Sequence, residues 1–206
     1  MSKEITLVFN NEGLRSYIEV DLCAECPRQD DKGCCGFYSP VFYSADLAYL
    51  IINKPDLIDR IFSLERLTIL DHSVTVNNIP EGRSYYCRFH SRTEGCLLDQ
   101  PLRESICRHF VCSGIAWEDE EELVDWKNFI KALTDYEINL NQRLSEAMEA
   151  QGLTLRDSRR RNLYLERLVQ LYRQETEHLP DFISKMPRQE TYKLKRTLRF
   201  GTDWEL

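Results

Sequence analysis

The sequence predicts an α+β fold that is predominantly helical. A loop-rich, cysteine-bearing half with short strands is expected to pack on long antiparallel C-terminal helices. Three observations carry this expectation. Eight cysteines lie between Cys23 and Cys112, and the 94 residues after Cys112 contain none. Short runs of β-branched and aromatic residues near the N-terminus read as strands. Residues 118–150 place apolar side chains at alternating spacings of three and four, the mark of an amphipathic helix. The chain therefore divides into a cysteine-rich, metal-binding region (1–114) and a helical region (115–206), packed as one unit.

The elements follow in order. Residues 5–9 and 14–20 predict strands, and residues 21–42 form the first cysteine segment, with Pro27 and Gly33 favouring a loop. Ser44 is positioned to cap a helix ending near Asn53, because Pro55 cannot continue it but can open the next helix over 55–65. Leu67–Leu70 and Ser73–Val76 predict a hairpin around Asp71 and His72. Asn77-Asn78 and Pro80-Glu81-Gly82 mark a turn, and the second cysteine segment runs from Tyr85 to Cys112. The helix of 118–150 uses Leu123, Trp126, Ile130, Leu133, Leu140, Leu144 and Ala147 as its apolar stripe. Acidic residues 118–122 sit at its positive N-terminal end, and Gly152 stops it. Thr154 is expected to cap a helix of 155–178 whose inner face holds Leu165, Leu168, Val169 and Tyr172. Pro180 and Pro187 bracket a short helical piece. The basic and aromatic stretch 191–206 has no clear assignment.

Composition narrows the function. A hydrophobic content of 42% builds a core without disulfide support, and a net charge of −7 argues against bulk nucleic-acid binding. The N-terminus lacks the apolar run of a signal peptide, and no stretch is long enough to span a membrane. The expectation is a cytoplasmic protein with no membrane and no nucleic-acid partner, whose thiols stay reduced. In that compartment a cysteine cluster is more often a metal or redox site than a disulfide framework.

The cysteines read C-x2-C-x7-C-C, at Cys23, Cys26, Cys34 and Cys35, and then C-x8-C-x10-C-x4-C, at Cys87, Cys96, Cys107 and Cys112. Thiolates are soft ligands for zinc and for iron–sulfur clusters. The C-x2-C pair lets two sulfurs reach one metal, and a second group of four makes chance clustering a weak explanation. Adjacent Cys34 and Cys35 point to opposite sides in extended chain, so one ligates while the other packs or serves a second metal. Eight thiols suffice for two tetrahedral zinc sites, or for one four-iron cluster with four to spare.

This arrangement resembles the YkgJ-like cysteine-cluster family of zinc- or iron-chelating proteins. The residues that carry the resemblance are Cys23-x2-Cys26, Cys34-Cys35, Cys87-Arg88-Phe89, Gly95-Cys96 and Arg103-Glu104-Ser105-Ile106-Cys107-Arg108-His109-Phe110, within about residues 20–112. The resemblance implies metal chelation, with zinc or an iron–sulfur cluster as the cofactor and a slight lean to the latter. A similar cluster in flagellin lysine N-methylases suggests an enzyme, redox-active or methyl-transferring; a zinc-stapled protein-interaction module is the other alternative. The gap before Cys34 is longer than the family's, and His90 stands where an apolar residue is common. Glu104 replaces a proline, which predicts a less rigid turn before Cys107.

Around the thiols, His90 has C-x2-H spacing from Cys87, which suits a zinc ligand, a residue hydrogen-bonded behind the ligands, or a solvent-facing histidine. His109 either donates to a thiolate or lies at the surface. Arg103 and Arg108 flank Cys107 and could offset thiolate charge, with ordinary surface pairing as the alternative. Arg156 and Arg159–Arg161 read as a solvated or salt-bridged face. No nucleophile elbow, P-loop or dinucleotide fingerprint is present.

Overall fold

The computed structural model describes residues 2–22, 38–82, 84–91 and 94–197. In chain order these form β1 (Ser2–Asn10), β2 (Tyr17–Val20), β3 (Val41–Tyr43), α1 (Ser44–Asn53), α2 (Pro55–Ser63), β4 (Leu67–Ile69), β5 (Ser73–Val76), β6 (Ile79–Glu81) and β7 (Ser84–Tyr86). They continue with β8 (His90–Ser91), β9 (Gly95–Cys96), α3 (Ser105–His109), α4 (Val124–Glu149), α5 (Arg161–Glu175), α6 (Asp181–Lys185) and β10 (Gln189–Thr197). Among the described residues, helix accounts for 49% and strand for 22%, which makes the fold α+β with helix predominant.

Two compact units interleave along the chain. One comprises Met1–Tyr38, Asn78–Leu133 and Asp181–Leu206; the other comprises Ser39–Asn77 and Thr134–Pro180. The 26-residue helix α4 contributes its first turns to the former and the remainder to the latter.

The first unit is built on an antiparallel sheet of order β10-β1-β2. Strand β1 alternates as the strand period requires: Ile5, Leu7 and Phe9 are fully buried, while Lys3, Thr6 and Val8 are partly open. Its register with β10 runs over nine pairs, from Ser2↔Thr197 to Asn10↔Gln189. The stretch left unassigned by sequence is thus an edge strand as far as Thr197. Opposite Phe9, Glu190 accepts a hydrogen bond from the Trp126 indole at 2.6 Å. Phe9 also packs between the rings of Trp117 and Trp126, with centroids 5.1 and 5.0 Å away. Residues 14–16 depart from the expected strand: Gly13–Arg15 is a 3-10 turn, closed by Ser16 Oγ donating to the Gly13 carbonyl at 2.6 Å.

The second unit has a sheet of order β3-β5-β4, including the hairpin expected around Asp71 and His72. Strand β3 lies within the stretch read from sequence as loop. Helix α1 starts at Ser44 rather than after it. Asp46 supplies the cap by accepting the Tyr43 N–H at 3.2 Å, and the Ser44 hydroxyl donates to the His72 carbonyl. Helix α5 starts at Arg161, six residues past the expected position. The Thr154 hydroxyl does not cap it, because that hydroxyl bonds to Asp71 at 2.7 Å and accepts from the Arg156 N–H. Gly152 ends the preceding helix in the left-handed region, φ 63°. The pairs Arg143–Glu175 at 2.7 Å and Arg167–Gln151 at 2.8 Å run in opposite senses along α4 and α5, so the two helices are antiparallel.

Candidate metal centre

The second cysteine segment is folded against the turn that precedes β2. Arg15, 4% exposed, donates Nε to the Pro101 carbonyl at 2.8 Å and an amino group to the Arg103 carbonyl. Gln100 donates to the Ile18 carbonyl at 3.3 Å. Arg108 is completely buried and donates to the Ser16 carbonyl at 2.8 Å, and His109 Nε2 lies 3.1 Å from the same oxygen. Burial, then the guanidinium groups of Arg108 and Arg15, push the His109 imidazole down to about 3. The ring is therefore neutral at pH 7, and its Nε2 lies between the Ser16 carbonyl and Arg108 Nη1, 3.3 Å away.

Within that frame, the backbone presents the cysteines in two ways. The first is a tight turn feeding a short hairpin. The His90 N–H closes on the Cys87 carbonyl at 3.0 Å, and the Phe89 N–H donates to Cys87 Sγ at 3.4 Å. A backbone donor aimed at sulfur favours the charged thiolate. Strands β8 and β9 then pair His90 with Cys96, so both side chains lie on one face of the hairpin. Gly95 enters this pair at φ 73°, where a side chain would be strained. The second way is helix α3, which carries Cys107 in its first turn.

Glu104 caps α3. Its carboxylate accepts from the Cys107 N–H at 2.6 Å, the Ile106 N–H at 3.0 Å and the Tyr38 hydroxyl at 3.4 Å, and it is 1% exposed. The expectation of a loosened turn is corrected here: proline's rigidity is replaced by two backbone-to-carboxylate bonds. Burial, then the Glu104 carboxylate, then the charges of Cys87 and Cys96 push the Cys107 thiol far above its ordinary value. Cys87 and Cys96 therefore each lie within electrostatic reach of Cys107.

Cys112 is half-buried, and its carbonyl accepts the Ile115 N–H at 2.9 Å. None of the four described cysteines forms a disulfide. Among the described residues, no group of three or more His, Cys, Asp or Glu side chains is arranged to hold a metal ion. Cys23, Cys26, Cys34 and Cys35 lie outside the described residues. The chain enters their segment from Leu22, which is buried, and re-emerges at Tyr38, whose hydroxyl reaches the Glu104 cap. Leu22 and Tyr38, which flank these four cysteines, thus belong to the unit that holds the second segment.

Arg103 donates to the Leu98 carbonyl at 2.9 Å, and its own carbonyl is held by Arg15. The alternative of ordinary surface pairing does not hold for Arg108, given its complete burial. Sequence reasoning missed Arg15, Glu104 and Tyr38 as parts of this site. A lone arginine inside the apolar run Leu14–Ile18, and an acid three residues ahead of Cys107, were the available signals.

No family model, curated protein or solved structure matches the chain.

Proposed function

We propose that this protein binds metal through its cysteines, as the resemblance to the YkgJ-like family implies, with an iron–sulfur cluster favoured over zinc. The observation that supports the reading is that Cys87 and Cys96 lie within electrostatic reach of Cys107, in a chain whose sequence holds four further cysteines at 23–35. Eight thiols exceed the needs of one tetrahedral zinc. The donor chemistry fits: soft sulfurs, a backbone N–H on Cys87 Sγ, and a protein frame that holds Arg15 and Arg108 in the interior. A tetrathiolate centre is anionic, and buried guanidinium groups offset such charge. Cys87, Cys96 and Cys107 would supply ligands from the second segment, and Cys23, Cys26 and Cys34 or Cys35 the remainder. Such a centre supplies electron transfer or, as zinc, a structural staple.

The deciding experiment is metal and acid-labile sulfide analysis with an optical spectrum, on protein purified without oxygen. The expected result is brown protein with sulfur-to-iron charge-transfer absorption and stoichiometric sulfide. Colourless protein with stoichiometric zinc overturns the iron–sulfur form alone, and protein that takes up neither overturns the whole reading. Cys107→Ser and Cys23→Ser should each release metal; retention in both variants excludes a site shared between the segments.

A further inference from the structure

The hairpin that carries Cys96 also carries a nitrogen donor, His90, and two separate backbone features direct it to the thiols. The first is the turn Cys87-Arg88-Phe89-His90. The His90 N–H closes this turn on the Cys87 carbonyl at 3.0 Å, and the Phe89 N–H donates to Cys87 Sγ at 3.4 Å. A turn closed between its first and fourth residues brings their Cα atoms within about 7 Å. The N–H on sulfur fixes the thiol against the same turn. The second feature is the register of β8 and β9. The Leu97 N–H donates to the Phe89 carbonyl at 2.7 Å, which makes 89 and 97 a hydrogen-bonded pair of the hairpin. Pair types alternate along an antiparallel ladder, so the next pair, His90 and Cys96, is a non-hydrogen-bonded one. In such a pair the Cα atoms stand about 4.5 Å apart and the side chains are at their closest. A metal held at about 2.3 Å from sulfur and about 2.0 Å from an imidazole nitrogen fits between donors so placed.

Burial and charge point the same way. Phe89 faces the interior, while His90 and Cys96, on the other face of the hairpin, are half-buried. Cys87 and Cys96 each lie within electrostatic reach of Cys107, so His90 stands among three thiols of the second segment. The Glu104 carboxylate, itself buried, acts on Cys107 from the other side. An imidazole in place of a fourth thiolate removes one negative charge from a centre beside that carboxylate. The other histidine of the segment is turned elsewhere, with His109 Nε2 against the Ser16 carbonyl and Arg108. The side chains of the described residues are not drawn into a set of three; turn closure and strand register, which the backbone fixes, are what place His90.

We infer that His90 is itself a metal ligand, its imidazole nitrogen bound to the centre beside Cys87 and Cys96. The inference rests on the metal-binding function proposed above and adds a nitrogen donor to it. In the zinc form, Cys87, His90, Cys96 and Cys107 supply three thiolates and one imidazole, a complete tetrahedral set. In the iron–sulfur form, imidazole ligation raises the reduction potential above that of an all-thiolate cluster.

The test uses the full chain, purified without oxygen from cells supplied with histidine of either nitrogen isotope. For the iron form, pulsed electron paramagnetic resonance of the reduced cluster should show a strong nitrogen coupling that changes with the isotope. For the zinc form, X-ray absorption at the zinc edge should fit sulfur donors near about 2.3 Å and one imidazole nitrogen near about 2.0 Å. His90→Cys should retain the metal and lose the nitrogen signal, and in the iron form its reduction potential should fall. His178→Ala, at an exposed histidine of the other unit, should leave metal and signal unchanged. The inference alone is overturned if metal-loaded protein shows sulfur donors only, or if the nitrogen signal survives in His90→Cys. Protein that binds neither iron nor zinc overturns the metal reading itself, and the histidine ligand with it.

Discussion

Glu104 shows how one side chain can replace another by a different physical route. A proline would stiffen the approach to Cys107 through its fixed φ; the glutamate instead ties the first turn of α3 to its own carboxylate. Glu104→Ala strands two N–H groups and opens a hole in a buried position, so it should lower stability by about 2 kcal/mol, measured by urea denaturation. Glu104→Gln, which keeps an acceptor, should lose less. At the other unit, Asp71 joins the β4–β5 hairpin to the loop after α4: it accepts from the Thr154 hydroxyl, its carbonyl accepts the Leu155 N–H, and Arg156 lies 3.6 Å away. The Thr154 hydrogen bond, and then Arg156 and His72, hold its carboxyl below the usual value of 3.8. The unfolded chain protonates this group at a higher pH than the folded one. The contribution is therefore fully present above the ordinary carboxylate value and is lost as pH falls through the lowered one. Asp71→Asn should show a shallower loss of urea midpoint between about pH 5 and pH 2 than the parent. An unchanged slope would mean that the clasp adds nothing to stability.

At the scale of elements, β10 is the part that sequence reading left blank, and its reason is local. The run Gln189–Thr197 does alternate, with Tyr192 and Leu194 on the face that also carries Glu190 and Arg196. Two of those four positions are charged, so the apolar signal is halved. The charges are accommodated by partners far away in sequence: Glu190 by the Trp126 indole, and Arg196 by the Ile115 carbonyl and Glu120. Leu194, 3% exposed and opposite Ile5, is the residue through which this strand is buried. Leu194→Ala should cost about 2–3 kcal/mol, while Lys195→Ala, on the exposed face, should change the midpoint little. The start of α5 was misjudged for a related reason. Thr154 has the chemistry of a cap, but Asp71 in the neighbouring hairpin takes its hydroxyl. The long helix α4 was legible because Leu123, Trp126, Leu133, Leu140 and Leu144 recur at helical spacing and are buried as read, although Phe129 and Met148 are buried where Ile130 and Ala147 were expected and Glu137 interrupts the stripe.

At the scale of the molecule, the two units predict an uneven response to metal. If the cysteines bind a metal, loading should raise hydrogen-exchange protection at residues 84–91 and 94–112, where the ligands and their hydrogen-bonded frame lie, and leave 134–175 nearly unchanged. Equal protection in both regions would place the ligand-linked stabilisation elsewhere. No helix among the described residues is long and apolar enough to cross a membrane. The sequence by itself determined the α+β class, the long helices, the β4–β5 hairpin and the candidate thiols, because periodicity, turn residues and ligand chemistry are local properties of the chain. Only the tertiary structure decided that Arg15 and Arg108 are interior and that Cys87 and Cys96 come within electrostatic reach of Cys107. Each of these depends on segments distant in sequence exchanging hydrogen bonds or charge, and no pattern within a single segment encodes which distant partner will arrive.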